Sequence, residues 1–507
     1  MPPPYGGLDL VSPIDNTEPN RALSLVNVFP GAGAPTVRGG YAQFNTSGTT
    51  IPSSAINFIR ELPLKTGVKH LVAATDTNLY RLLADGSVST VTNATPHTDG
   101  KFNSEIFANN LYLCNGTDVP QVYTGTGNAA NVTFTCTAGL SNLITCSAWK
   151  RRLYFVQKNT MSVWVHASVD VPGTGGAPKL DEIIDIAYVM TKGGHLLFAG
   201  SYTNQTATTP QNLFFACSSE GEVVFYSGTS PSDWSLVAQY YIAKPLGYRA
   251  FVKVDNDVWI ITQDGIISVK SLFELDSINV TNAISGAINP IISEAANTFP
   301  FSHDWSGFNW SSGRRVYISI PSSSSENYFL VYSHDTKGWT TFKLYDGADA
   351  NSSCFAFDHP FYASTTGRVY KGETGQADAV ITGSTGQAIN FSGRMPFSFF
   401  GARGNYKVFK DIRPIFKTKR GITIGLGIDT DFKNNASMTN ITIPGGISTP
   451  WGSPWGSPWS SEVDYIFDRY ATKGQGHCGA IRFSGSIKNT TLQLLGFELR
   501  YDVGGQV

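Results

Sequence analysis

The sequence predicts an all-β protein: a β-propeller of six to eight blades, with seven the best fit, joined to a β-sandwich or platform domain. Three observations predict it. The first is composition. Charged residues make up 15% of the 507 residues, aromatics 12%, and there are 51 glycines; an average soluble domain is about 25% charged. Aromatic and β-branched residues fill strands, while Gly and Asn accept the backbone angles of tight turns. The second is a strand–turn–strand pattern that recurs between residues 55 and 380. The third is a change of texture beyond residue 380, where longer alternating runs replace the short repeats.

Residues 1–54 are rich in Pro, Gly and Asn with short apolar patches such as 23–29. They read as an extended arm with one or two edge strands, assigned to the platform because chain termini often lie close together. Residues 55–380 carry the repeats, seen at 70–92, 109–125, 151–166, 212–228, 257–269, 314–342 and 353–372. Their starts fall roughly every 40 to 60 residues, near the period of a four-stranded propeller blade. The fifth copy anchors the reading. Apolar runs 248–254, 258–262 and 266–269 are separated by Asp255-Asn256-Asp257 and by Asp264-Gly265. Asp-Gly between β-branched runs signals a hairpin, because a primed turn needs positive φ. Such a three-stranded meander cannot bury both faces alone and needs copies to stack on. Helix is expected only at 271–277 and 283–299. Residues 381–507 form the sandwich or platform: Ile422, Ile424, Leu426 and Ile428 alternate with small or polar residues, as in a half-buried strand. A Trp-rich loop occupies 445–462.

Net charge is −1, so no global field draws the chain to nucleic acid or to an acidic membrane. The six cysteines (Cys114, Cys136, Cys146, Cys217, Cys354, Cys478) form no CxxC pair; they read as small buried hydrophobes in a chain made in a reducing compartment. The N-terminus lacks the basic and apolar regions of a signal peptide, and no run of about 18 apolar residues predicts a membrane span. The eight histidines are scattered without an HExxH pair, and 173–179 lacks the Gly-Lys-Ser/Thr of a phosphate loop. No metal, cofactor or catalytic constellation is predicted, and the chain is read as a non-enzyme.

Two candidate surfaces stand out. Trp451-Gly-Ser-Pro-Trp455-Gly-Ser-Pro-Trp459 places three indoles in a loop that Pro and Gly keep from regular structure, a candidate contact surface. Lys407, Lys410, Arg413 and Lys417, with Lys419 and Arg420 beyond them, form the marked basic cluster, a candidate contact for phosphate or for a partner. Three further signals read as turns. Residues 333–340 resemble the Asp-box hairpin of sialidase propellers, a structural turn. Asp429-Thr430-Asp431 with Asn434 lacks the Gly and terminal Glu of a calcium loop. Asp257, Asp264 and Asp335 would have to gather at one rim to serve a glycosidase.

Three segments together resemble a known family: Tyr5-Gly-Gly-Leu-Asp-Leu-Val leading to Val37-Arg-Gly-Gly-Tyr-Ala-Gln-Phe; Trp234, Tyr248-Arg-Ala and Asp257-Val-Trp-Ile-Ile-Thr-Gln-Asp-Gly; and Gly474-Gln-Gly-His-Cys, Gly485-Ser-Ile-Lys-Asn-Thr, Leu494-Leu-Gly-Phe-Glu and Tyr501-Asp-Val-Gly-Gly. Their order is similar to that in the tail nozzle, or tail hub, proteins of short-tailed double-stranded DNA bacteriophages. The resemblance implies a structural virion protein of the tail, made in the host bacterial cytoplasm. It implies a six-fold ring of copies that continues the DNA exit channel below portal and adaptor and retains packaged DNA until ejection. Expected partners are the chain itself, the adaptor and portal, tail fibres or spikes, and DNA passing without sequence specificity. The competing expectations are a tail-associated propeller that binds carbohydrate or a receptor, and a propeller glycosidase.

Overall fold

Seven antiparallel meanders follow one another between residues 58 and 372, six in small sheets of their own and one within a nine-stranded sheet. The computed structural model describes residues 1–507 apart from 15, 135, 167–179, 206–209, 230, 276–282, 323–327, 346–349, 382, 419–421, 435–437, 444–463, 467 and 507. We number the meanders as blades 1 to 7 by their first, innermost strands: Phe58–Pro63, Asn103–Phe107, Leu143–Trp149, Leu196–Asn204, Phe251–Val254, Ser306–Trp310 and Ser352–Ala356. The inner strands of blades 2 to 4 and of blades 5 to 7 lie side by side around a central channel, and blades 1 and 2 share a core. The inner strand of blade 4 meets the middle strand of blade 5, and the inner strand of blade 7 meets that of blade 1 to close the ring. The chain is therefore a seven-bladed β-propeller. Each repeat read from the sequence falls on the middle strands of one blade, such as Leu111 to Tyr123 in blade 2 and Phe214 to Tyr226 in blade 4.

Blades bury both faces against their neighbours, which is why their middle strands read as nearly continuous apolar runs. Phe58, Leu79, Leu111 and Tyr123 fill the space between blades 1 and 2. Tyr112, Phe155 and Trp164 fill that between blades 2 and 3. Trp149, Tyr154, Phe214 and Trp234 form one aromatic cluster between blades 3 and 4. Tyr317, Phe329, Phe342 and Tyr362 form another between blades 6 and 7. Each such side chain contributes roughly 1.5–3 kcal/mol by leaving water. All six cysteines are free, five of them buried.

Tight turns hold the hairpins in register. Ala108-Asn109, Lys150-Arg151 and Phe357-Asp358 each take left-handed φ at both positions, between the paired residues Phe107 and Asn110, Trp149 and Arg152, and Ala356 and His359. These are type I′ geometries built without glycine, matching the right-handed twist of the strands. In blade 5 the turns differ by one residue from the sequence reading. Val254 pairs with Asp257 and Thr262 pairs with Gly265, so the turns are Asp255-Asn256 and Gln263-Asp264, and Asp257 and Gly265 belong to strands. Blade 5 keeps three strands. The chain then enters helix α1, Val269–Leu275, and later α2, Asn289–Thr298. The Asp257 carboxylate accepts from the Val258 and Lys270 amides and the Trp259 indole, fastening the start of α1 to the blade.

The N-terminal arm departs from expectation. It supplies seven strands of two or three residues, shared between both parts of the molecule. Tyr41–Gln43 is the outer strand of blade 7, and Ser47–Gly48 is the outer strand of blade 1. Ser24–Val26 enters one platform sheet, while Val28–Phe29 and Thr36–Val37 enter the other. Strands this short have no periodicity of their own; pairing with distant residues defines them. The platform is a sandwich whose two sheets meet through Phe391, Ile412, Phe416, Ile481, Phe483 and Phe497. Phe483 stacks on Phe497 at 5.5 Å.

Candidate functional site: the buried joint between propeller and platform

One sheet runs unbroken from the propeller into the platform. The four strands of blade 6 end in Trp339–Phe342. The arm strand Ser24–Val26 lies beside it, followed by Ile389–Arg394, Gly479–Ile487, Ile422–Thr430 and Thr439–Ile443. The arm strand is thus the bridge: Val26 pairs in parallel with Thr341, and Ser24 pairs antiparallel with Arg394. The Thr340 hydroxyl donates to the carbonyls of Val28, at 2.8 Å, and Leu25, at 3.2 Å. The hydrophobic core is continuous across the same joint. Trp259 of blade 5, Ile288 and Ile292 at and in α2, Trp339 of blade 6 and Leu25 of the arm share one cluster with Phe391 and Phe483 of the platform.

The polar centre of the joint is Arg38, only 4% exposed. Its five N–H groups meet five acceptors. Nε donates to Asn27 Oδ1 at 3.1 Å, and the terminal nitrogens to the Gly39 and Lys343 carbonyls at 2.9 Å each. They also grip Asp378 in a fork, at 2.6 Å to each oxygen. The guanidinium lies 4.6 Å over the Phe342 ring. Burial works against its charge, but the Asp378 carboxylate more than compensates and holds Arg38 above its ordinary value. Asn27, in the left-handed region at φ 59°, reaches three ways: Nδ2 to the Asn390 carbonyl at 2.7 Å, Oδ1 to Arg38, and Oδ1 to the Lys343 amide at 2.9 Å. Arm, blade 6 and the segment after blade 7 therefore meet on two side chains. Gly40 is required here, since a Cβ would sit 2.0 Å from the Ala377 carbonyl oxygen. In the sequence Arg38 stands out only through the Gly39-Gly40 pair that follows it.

The candidates chosen from sequence lie elsewhere. Trp451, Trp455 and Trp459 fall outside the described residues. The basic cluster sits on Asn405–Thr418, the long strand of the second platform sheet. Lys407 is a correction: it is fully buried and points inward. Its ammonium donates to the carbonyls of Ala402, Asn405 and His477, the last at 2.7 Å, so it meets neither phosphate nor partner. Lys410 pairs with Asp502 at 2.8 Å, and Arg413 with Glu498 at 3.1 Å. Lys417 is half-buried on the same strand. The adjoining strand thus offsets much of the cluster. Lys407→Met is expected to cost about 1–3 kcal/mol through the unpaired buried carbonyls, and Lys410→Ala less than about 0.5 kcal/mol; urea unfolding of both variants checks this.

The carboxylates do not gather. Asp257 opens the strand Asp257–Thr262, and Asp264 follows its far end, so the two lie at opposite rims. Asp335 pairs with Arg314 at 2.5 Å. The Asp-box-like segment closes the last hairpin of blade 6, with Ser333 N donating to Gly338 O at 3.0 Å. Asp429 is fully buried beside Arg394, at 3.0 Å, and Asp431 accepts from the His477 amide at 2.7 Å, so neither is free for calcium. Among the described residues no three His, Cys, Asp or Glu side chains are grouped to hold a metal, and no helix is long and apolar enough to cross a membrane.

No family profile and no curated protein matches the chain. Solved structures similar to it include virginiamycin B lyase from Staphylococcus aureus, at 10% identity and TM-score 0.41 over 65% of this chain and 98% of that one. A gluconolactonase from Xanthomonas campestris matches at 11% identity and TM-score 0.32, over 69% and 97%. The WD40 domain of Neurospora crassa Pan2 matches at 9% and 0.39, over 64% and 91%. Likenesses of this size carry no activity or ligand over to this chain.

Proposed function

We propose that this chain is a structural virion protein, a tail nozzle subunit that assembles as a ring, continues the DNA exit channel below portal and adaptor, and retains packaged DNA until release. The observation that carries the reading is the unbroken sheet between blade 6 and the platform, locked by Arg38 and Asp378. A wall that holds DNA under pressure must pass load between its parts without hinging. Separate domains joined by a linker would move by default; here a shared sheet, a shared core and a buried ion pair oppose that movement. The family resemblance of the arm, blade 5 and the C-terminal strands points the same way.

A second reading has one observation of its own. A polar cleft of about 640 Å³ lies between the arm and blade 7, lined by Asn45, Thr49, Ser364, Thr366, Arg368 and Tyr370 among others. Hydroxyls, an amide, an arginine and one ring suit a sugar, which would make the chain a tail-associated carbohydrate-binding propeller. Mixing the purified protein with portal–adaptor complex, followed by mass measurement and negative-stain imaging, separates the two. A ring that caps the complex is the expected result. A chain that ignores the complex and binds glycans overturns the nozzle reading.

A further inference from the structure

The central channel of the propeller holds more positive than negative charge. Its cavity of about 340 Å³ is lined by the inner strands of blades 1, 2, 3, 5, 6 and 7. Arg60 enters from blade 1, Glu105 from blade 2, Lys253 from blade 5, and Arg249 from the loop just before blade 5. Glu105 stands between two of the cations, 3.9 Å from Arg60 and 4.0 Å from Lys253. Among the described residues on the channel wall Glu105 is the one carboxylate, and it stands beside two of the three cations there.

Arg249 is the telling residue. Protein surrounds its guanidinium, which reaches solvent only in part. It bonds backbone oxygens alone: Nε to the Phe102 carbonyl at 3.0 Å, a terminal nitrogen to the same oxygen, and the terminal nitrogens to the Asn57 carbonyl at 3.4 and 3.5 Å. Its face lies 5.5 Å from the Phe58 ring. Among the described residues no carboxylate pairs with it; Asp304 and Asp99 act on it only at longer range. Burial pulls its pKa down to about 9, which still leaves it cationic at neutral pH. An enclosed cation without a directly paired carboxylate is costly, and the fork of a guanidinium matches the paired oxygens of carboxylate or phosphate. Arg38 differs in that a carboxylate, Asp378, fills its fork, whereas the Phe102 and Asn57 carbonyls that Arg249 meets are neutral. Neutral donors stand beside it: the Ser104 hydroxyl, which already accepts from Arg60 at 3.0 Å, and Ser353 on the wall.

We infer that the propeller channel is a binding site for one small oxyanion, a phosphate or a dicarboxylate, held by Arg249 with Arg60 and Lys253, and that Glu105 sets its affinity by opposing the anion. The inference is independent of the nozzle reading, because it concerns the channel within each chain rather than a lumen between copies.

Isothermal titration of the intact protein with inorganic phosphate and, separately, with succinate tests it. Ionic strength is held constant with sodium chloride, and thermal midpoints are read in parallel. One oxyanion per chain is expected, with a raised midpoint that chloride does not reproduce. Lys253→Gln should weaken binding at least about fivefold and Glu105→Gln should strengthen it at least about threefold. Both side chains are partly solvent-accessible, so these variants keep the fold; Arg249→Met should abolish binding if it folds. Tighter phosphate than succinate assigns a tetrahedral oxyanion, and the reverse assigns a dicarboxylate. Absence of binding by either, or affinities unchanged in both Lys253→Gln and Glu105→Gln, overturns the inference.

Discussion

Replacing Arg38 with alanine is expected to destabilise the protein by about 3–5 kcal/mol, the usual loss when one partner of a buried ion pair is removed. Both partners are 1% exposed in their side chains, so the Asp378 carboxylate would stay in the interior without its counter-charge. Four further acceptors, Asn27 Oδ1, the Gly39 and Lys343 carbonyls and the second Asp378 oxygen, would lose their donors as well. Glu373 aggravates the loss. Burial already pushes its carboxyl above the ordinary range, with Arg315 and Arg38 opposing. Arg38→Lys keeps the charge without the planar fork and should recover only part of the stability. The double variant Arg38→Met with Asp378→Leu should be more stable than Arg38→Ala, because it leaves no lone buried charge. Guanidinium unfolding of the four proteins measures the series. An Arg38→Ala loss below about 1 kcal/mol would show that the pair does not lock the joint.

Trp339→Ala is expected to cost about 3–5 kcal/mol, as large-to-small core substitutions do. Trp339 is 1% exposed and opens the last strand of blade 6, the strand against which the arm lies. Its ring is 5.1 Å from Tyr332, and its indole N–H donates to the Ile284 carbonyl at 3.1 Å. The backbone of Gly7 presses on it so closely that a Cβ there would stand 2.5 Å from the Trp339 carbonyl oxygen. The side chain therefore ties blade 6 to the segment before α2, while the backbone of the same residue lies against the arm. Trp339→Phe should lose less, about 1–3 kcal/mol, chiefly through the unpaired Ile284 carbonyl. Equal losses for the two substitutions would show that the indole hydrogen bond, not the filled volume, is what counts.

The blades were legible in the sequence because their signals are local. A middle strand such as Leu153 to Val156 is apolar on both faces, so a short window contains the whole strand signal. The arm was not legible. Tyr41–Gln43 becomes the outer strand of blade 7 by pairing Tyr41 with Gly372 and Gln43 with Tyr370, and nothing within the arm encodes partners so distant. The joint was missed for the same reason: Arg38 and Asp378 are 340 residues apart. Lys407 misled in another way. The sequence groups it with Lys410, Arg413 and Lys417 as one basic cluster, a candidate contact for phosphate or for a partner. Alternation puts Lys407 on the buried face with Phe409 and Asp411, and the register shift between Phe409 and Asp411 then changes the phase, so that Ile412 and Phe416 turn inward while Arg413 and Lys417 stay partly exposed. The tight type I′ turns were hidden too, since Lys150-Arg151 and Phe357-Asp358 carry none of the Asn-Gly or Asp-Gly chemistry that announces them.

That the arm welds propeller and platform into one load-bearing body is the claim on which the proposed function depends. Scanning calorimetry of the intact chain tests it most directly. The account predicts one cooperative transition with equal calorimetric and van't Hoff enthalpies, which Arg38→Ala lowers and splits in two. Two separate transitions in the unaltered protein would contradict it.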